Sequence, residues 1–308
     1  EDGPFISRLS NSPTNPDLLF TVGSKGVFRH NNFGIGKFEW ESVEIPEGWS
    51  VNDYVTDQHH VEVSLANDSL VWAGAGMYTK PDLHIFLSKN RGLTFDSIPN
   101  YKEEKMSYIS GIATHPFDKE TAYILFSLKG KPKIIRTTDF GENWEDIPGF
   151  ENNDTSHNGF PDVMVHSLLV MPYDTDIIWA GTEIGIFEST DNGATWHYAD
   201  NGLPAVSTWQ MFIQDHHVVV ATHGRGIWTL DLNLVNNPEY GSQSHHDFRL
   251  YPNPNQGDFY LELDNDYSGG LSILIYSVDG RLVHAEQIIK KDRMLKKQFR
   301  LNFAAAPG

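Results

Sequence analysis

Asp57 and Asp162 are the acids best placed to act as a pair, each a few residues ahead of an apolar strand-like run. Glycoside hydrolysis takes two carboxylates about 5 to 9.5 Å apart across a cleft. Imidazoles gather nearby: His59 and His60 in "DQHHVEV", and His166 in "VHSLLVM". Neutral imidazole is a good ligand for a metal or a polar group. "ATHGRGIW" (221 to 228) places His223 and Arg225 in a turn whose glycines allow close backbone approach. Trp209 and Tyr78 offer flat faces on which a sugar ring could stack. A plainer reading stands beside each: solvated loop acids, imidazoles bonded to neighbouring loops, aromatics in ordinary packing. Zinc sites take three or four protein ligands, and these residues do not complete such a set, so neither metal nor cofactor is expected.

The elements that must position these residues repeat. "STDNGATW" (189 to 196) has near-copies at "TTDFGENW" (137 to 144) and "SKNRGLTF" (88 to 95). A degenerate copy, "HNNFGIGKFEW", keeps Asn32, Gly34 and Trp40. The phrase glycines Gly34, Gly92, Gly141 and Gly193 are 58, 49 and 52 residues apart, an interval that holds four short strands. Aligning "VWAG" (71 to 74) with "IWAG" (178 to 181) sets His59 opposite His166, and matching Pro116 to Pro172 puts Ser110 at that place in the unit between. Valine, isoleucine, tryptophan and phenylalanine occur in short runs without a helical period. The segments "VHSLLVM", "DIIWAGT", "GIFEST" and "TWHYA" read as the four strands of one antiparallel sheet. Five such units precede residue 233.

Repeated four-stranded sheets predict an all-β fold, a partial or complete β-propeller, followed by a small C-terminal β-sandwich. In the repeated phrase, Ser189 and Asp191 can accept turn N–H groups, Gly193 can take positive φ, and Trp196 re-enters the sheet as a plug.

The phrase resembles the Asp-box, or BNR, repeat, Ser/Thr-x-Asp-x-Gly-x-Thr-Trp, of sialidase, sortilin and xyloglucanase propellers. Ser189, Asp191, Gly193, Thr195 and Trp196 fit fully. Thr137, Asp139, Gly141 and Trp144 fit with Asn143 in place of Thr, while Ser88, Asn90, Gly92, Thr94 and Phe95 depart twice. The resemblance implies that these corners are structural and lie away from the ligand face. It also implies more than five blades, so further N-terminal sequence, or a second piece, is expected to complete the ring. Sialidase chemistry fits poorly, because Arg29, Arg91 and Arg136 sit in or beside the Asp-box phrases, on the wrong side.

Residues 1–232 are therefore assigned to the propeller, 233–247 to a polar linker, and 248–308 to the sandwich. In the last segment the residues Tyr251, Pro252, Asn253, Pro254, Gly257 and Phe259 are followed by Ile273, Ile275, Tyr276, Asp279, Gly280, Leu282 and Val283, then by Leu301, Pro307 and Gly308. This order resembles the type A C-terminal sorting domain of the type IX secretion system of Bacteroidota. The resemblance implies contact with that secretion machinery, and a secreted or outer-membrane surface location. The family continues with one more strand, expected beyond Gly308.

Net charge is -18 from 41 acids and 23 bases, which disfavours nucleic acid and anionic membranes. The sorting segment holds eight bases and seven acids, so the acidity belongs to the rest. No apolar run approaches the roughly eighteen residues of a membrane span, and cysteine is absent, which excludes disulfides and thiolate chemistry. The expected function is binding of a glycan or surface protein through the loop face. The alternatives are a glycoside hydrolase of Asp-box propeller type, or an accessory part of a larger secreted enzyme.

Overall fold

The computed structural model describes residues 8–12, 14–32, 39–45, 49, 59–75, 85–98, 108–127, 129–151, 153–199, 202–214, 216–232, 248–251, 258–264, 268–276 and 282–301. Asp57, Tyr78, Gly34 and the 233–247 segment lie outside them. Two compact units divide the chain, Glu1–Leu232 and Asn233–Gly308.

The first unit is five antiparallel sheets in chain order. They comprise β1 (Leu9–Asn11), β2 (Leu19–Gly23), β3 (Gly26–His30) and β4 (Glu41–Glu44); β5 (His60–Val63), β6 (Val71–Gly74), β7 (Ile85–Ser88) and β8 (Asp96–Ser97); β9 (Ile109–Thr114), β10 (Ala122–Phe126), β11 (Ile134–Thr137) and β12 (Glu145–Asp146). Then follow β13 (Val165–Val170), β14 (Ile178–Thr182), β15 (Gly185–Ser189) and β16 (His197–Tyr198), and finally β17 (Thr208–Gln214), β18 (His217–Thr222) and β19 (Gly226–Asp231). Strand-one neighbours strand-one along the series: β1 with β5, β5 with β9, β9 with β13, β13 with β17. That succession is the blade order of a propeller.

Apolar side chains on both faces of each sheet explain the stacking. Trp72, Ile85 and Leu87 of the second blade meet Ile124 and Ile135 of the third, and Tyr123 and Ile134 of the third meet Val170 and Phe187 of the fourth. Leu169, Trp179 and Ile186 of the fourth meet Met211, Val218 and Val220 of the fifth. The outward face of the fifth is different. Its Phe212 and Ile227 are 41% and 73% exposed, where Leu169 and Ile186 at equivalent positions are 6% and 2%. Leu9 on the first sheet is 61% exposed, so the described blades form an arc with open end faces.

The repeated phrase closes the third-to-fourth strand turns of three blades in the same way. Gly193 N–H donates to Ser189 Oγ (2.7 Å), Gly141 N–H to Thr137 Oγ1 (2.8 Å), and Gly92 N–H to Ser88 Oγ (2.8 Å). The Thr195 hydroxyl donates to the Asp191 carboxylate, but Asn90 Nδ2 donates to Thr94 Oγ1, the direction reversing because an amide replaces an acceptor-only group. Hydrogen bonds from Thr195, and from Asn143 in the third blade, hold Asp191 and Asp139 below the usual carboxylate range. Gly92, Gly141 and Gly193 take positive φ and face the preceding blade: a Cβ on Gly141 would stand 2.4 Å from Ile98, and one on Gly92 2.3 Å from Phe20. Arg29 and Arg136 reach across the same seams, donating to the Arg91 and Asn192 carbonyls. The corner phrase therefore joins neighbouring blades.

The second unit has strands β20 (Phe248–Tyr251), β21 (Asp258–Asp264), β22 (Gly269–Tyr276), β23 (Leu282–Lys290) and β24 (Met294–Arg300), in sheets β20-β21-β24 and β22-β23. Phe299, 3% exposed, stacks on Phe259 and meets His284 of the other sheet edge-on. Lys297 Nζ bonds Glu286 at 2.6 Å across the same gap. These contacts make the two sheets a small sandwich.

Candidate functional site

The first strands of the third, fourth and fifth blades share one irregularity. Pairing jumps past Ser110 between Ile109 and Gly111, past His166 between Val165 and Ser167, and past Trp209 between Thr208 and Gln210. Each is a β-bulge, which turns a side chain out of the ordinary alternation. His60 pairs with Gly74 as Ser167 does with Gly181, so His59 holds the matching place in the second blade.

Four equivalent positions thus carry His59, Ser110, His166 and Trp209, and their surroundings differ. His59 is 3% exposed, packs on the Trp49 ring and donates from Nε2 to the Trp49 carbonyl, which ties it to the loop it supports. Ser110 donates to the Val165 carbonyl of the next blade. His166 and Trp209 stay half-buried and meet at Ser207. Trp209 Nε1 donates to Ser207 Oγ (3.0 Å), and the same hydroxyl is hydrogen-bonded to His166 Nε2 (3.3 Å). Burial lowers the His166 pKa against the opposing pull of Glu183, with Arg8 adding to the lowering.

His223 lies flat on Trp209, rings 4.8 Å apart and 5° from parallel, while His166 covers the indole at 5.9 Å. Trp209 thus has His223 stacked on it and His166 tilted beside it. His223 and Arg225 are exposed, and the loop is braced by Thr222 Oγ1 donating to the Gly226 carbonyl (2.7 Å). His223, Gly224 and Arg225 form the exposed rim of this loop.

The second blade holds a buried polar group that sequence reasoning only half recognised. His60 Nε2 is enclosed without a hydrogen-bond partner, and burial, then Arg8, hold the ring well below the usual imidazole range. Two residues on, Glu62 is pushed up to about 8 by burial, against the opposing pull of a Ser10 hydrogen bond and Arg8. An acid inside the apolar strand "HVEV" was the available clue to it.

Asp162 is committed elsewhere. It pairs with the fully buried Lys133 at 2.6 Å and accepts the Gly130 N–H at 3.0 Å, anchoring a loop. That double engagement argues against its service as a free acid or base.

Residues 249–304 match the family described as secretion system C-terminal sorting domain. No curated protein matches the chain. Among solved structures it is similar to the GH74 xyloglucanase from Xanthomonas campestris, at 15% identity and TM-score 0.52, over 85% of this chain and 42% of that one. PorZ, described as an essential surface component of the type-IX secretion system of Porphyromonas gingivalis, is 14% identical, with TM-score 0.48 over 94% and 46% of the two chains. The chain spans less than half the length of either. The protein is a β-propeller carrying a type IX secretion sorting domain. Its tail marks it for export, to the cell surface or beyond.

Proposed function

We propose that the propeller is a non-catalytic module that binds glycan through its loop face and is displayed outside the cell by the sorting domain. The observation that carries this reading is the His223–Arg225 rim held on the Trp209–His166 stack. Rigid support lowers the entropy cost of binding, and a guanidinium and an imidazole suit the hydroxyl and carboxylate groups of sugars. A surface protein rich in such groups would suit the same rim.

The hydrolase reading takes its support from the likeness to a xyloglucanase, and it needs a carboxylate pair. Asp162 holds a lysine and an amide, which weighs against it. An accessory role within a larger secreted enzyme is compatible with either reading.

The test is a polysaccharide screen of the full chain that measures retention and reducing-end release together. Retention without release is expected, weakened by His223→Ala and Arg225→Ala with the fold intact. Release abolished by Asp57→Ala or Asp162→Ala would establish the hydrolase instead.

A further inference from the structure

We propose that His216, His217 and Asp231 form a zinc-class metal site at the end of the last blade opposite its loop rim. The β17–β18 hairpin presents the two histidines at its turn, and strand register sets His217 directly opposite Asp231. The Leu232 N–H donates to the His216 carbonyl at 2.7 Å, fixing the turn against the end of β19. Both backbones are thus held by main-chain bonds, so the donors meet without help from a ligand.

The distances suit a small tetrahedral ion. One donor atom from each residue lies within 4.8 Å of the others. His217 Nε2 and His216 Nε2 stand 3.9 and 4.0 Å from Asp231 Oδ2, with ring centroids 4.1 Å apart. Zinc bonds of about 2.0 to 2.2 Å place tetrahedral donors roughly 3.3 to 3.5 Å apart. Side-chain rotations that close the two gaps to Asp231 by about half an ångström, and the separation of the two imidazole donors by up to about 1.4 Å, complete three corners, and water supplies the fourth. Two imidazole nitrogens and one carboxylate favour zinc over magnesium or calcium, which prefer all-oxygen shells. The net charge of -18 raises the local cation concentration.

The site has a structural use. The fifth sheet has three strands among the described residues where the other blades have four, so β19 lacks an outer strand there. A metal joining the β17–β18 turn to Asp231 fastens that strand at its far end. The site is also separate from the rim: His223 follows the opposite end of β18.

The test uses the full chain, stripped with chelator and titrated with zinc chloride by calorimetry and with cobalt(II) by visible absorption. One saturable site per chain is expected, with the intense bands of tetrahedral cobalt. His216→Ala and Asp231→Asn should each weaken zinc at least about tenfold, the loss that even an outer-shell partner can cause. His197→Ala, an exposed histidine elsewhere, should leave it unchanged. Should either ligand variant misfold, His217→Gln supplies the same comparison. Absence of saturable binding at micromolar zinc, weak octahedral cobalt bands, or affinity unmoved by the ligand substitutions would overturn the assignment.

Discussion

Three glycines share nearly one backbone angle but not one environment, which allows the seam between blades to be weighed. Gly141, Gly193 and Gly224 have φ of 90, 90 and 92°. A Cβ at Gly224 meets nothing within 4 Å, at Gly193 it meets Ile147 at 3.3 Å, and at Gly141 it meets Ile98 at 2.4 Å. Replacing each by alanine imposes the same left-handed strain, of order 1 to 2 kcal/mol. Overpacking adds to it at Gly141 by typically 1 to 3 kcal/mol, because the clash is with a side chain of the preceding blade. Gly193→Ala needs its neighbour to give only a few tenths of an ångström and should fall between. In urea unfolding the expected order of loss is Gly224→Ala, then Gly193→Ala, then Gly141→Ala. For a unit of this size each kcal/mol lowers Tm by roughly 2 to 4 °C. Equal losses at all three positions would refute the claim that the corner phrase joins blades.

Other perturbations address other parts of the account. Trp196, 4% exposed and packed edge-on to Phe160, should cost about 3 to 5 kcal/mol as Trp196→Ala, read by denaturant titration. Arg136→Met strips the Asn192 carbonyl of a charged donor and should destabilise by roughly 1 to 3 kcal/mol in the same assay. Glu62 has a raised pKa, so its contribution is full below about 4.5 and is lost as pH rises toward about 8. Glu62→Gln should flatten that loss in unfolding midpoints measured across the window, and an unchanged slope would count against the buried carboxyl. Asp191 is shifted the other way, so its contribution is present above the unfolded value near 3.8 and lost as pH falls through the lower folded value. Asp191→Asn, which copies Asn90 of the second blade, should remove that acid-side loss by giving up the carboxylate's contribution near neutrality, so that the two proteins differ most near pH 7 and converge in acid.

The architecture was legible because its determinants are residue types at fixed spacing. Ser189, Asp191 and Gly193 make the bonds their chemistry dictates, and the four strands read from 165 to 199 lie within a residue or two of those observed. The site was less legible. A bulge adds one residue without demanding a particular side chain, so Ser110, His166 and Trp209 share a position but no common sequence mark. The two imidazoles beside Trp209 were not legible, because they come from residues 43 positions before and 14 after it. Arg29 and Arg136 are on the corner side, as their neighbouring phrases indicate, but their bonds to the next blade depend on stacking that no local pattern encodes. His216, His217 and Asp231 escaped notice for a related reason, since strand register rather than proximity in sequence makes them neighbours.

Hydrogen–deuterium exchange of the full chain, with and without a polysaccharide that it retains, most directly tests whether the corners are architecture and the opposite rim is the binding face. The account predicts ligand-dependent protection at 207–210 and 221–226, and none at 137–144 or 189–196. Protection concentrated at the corner phrases, with the rim unaffected, would contradict it.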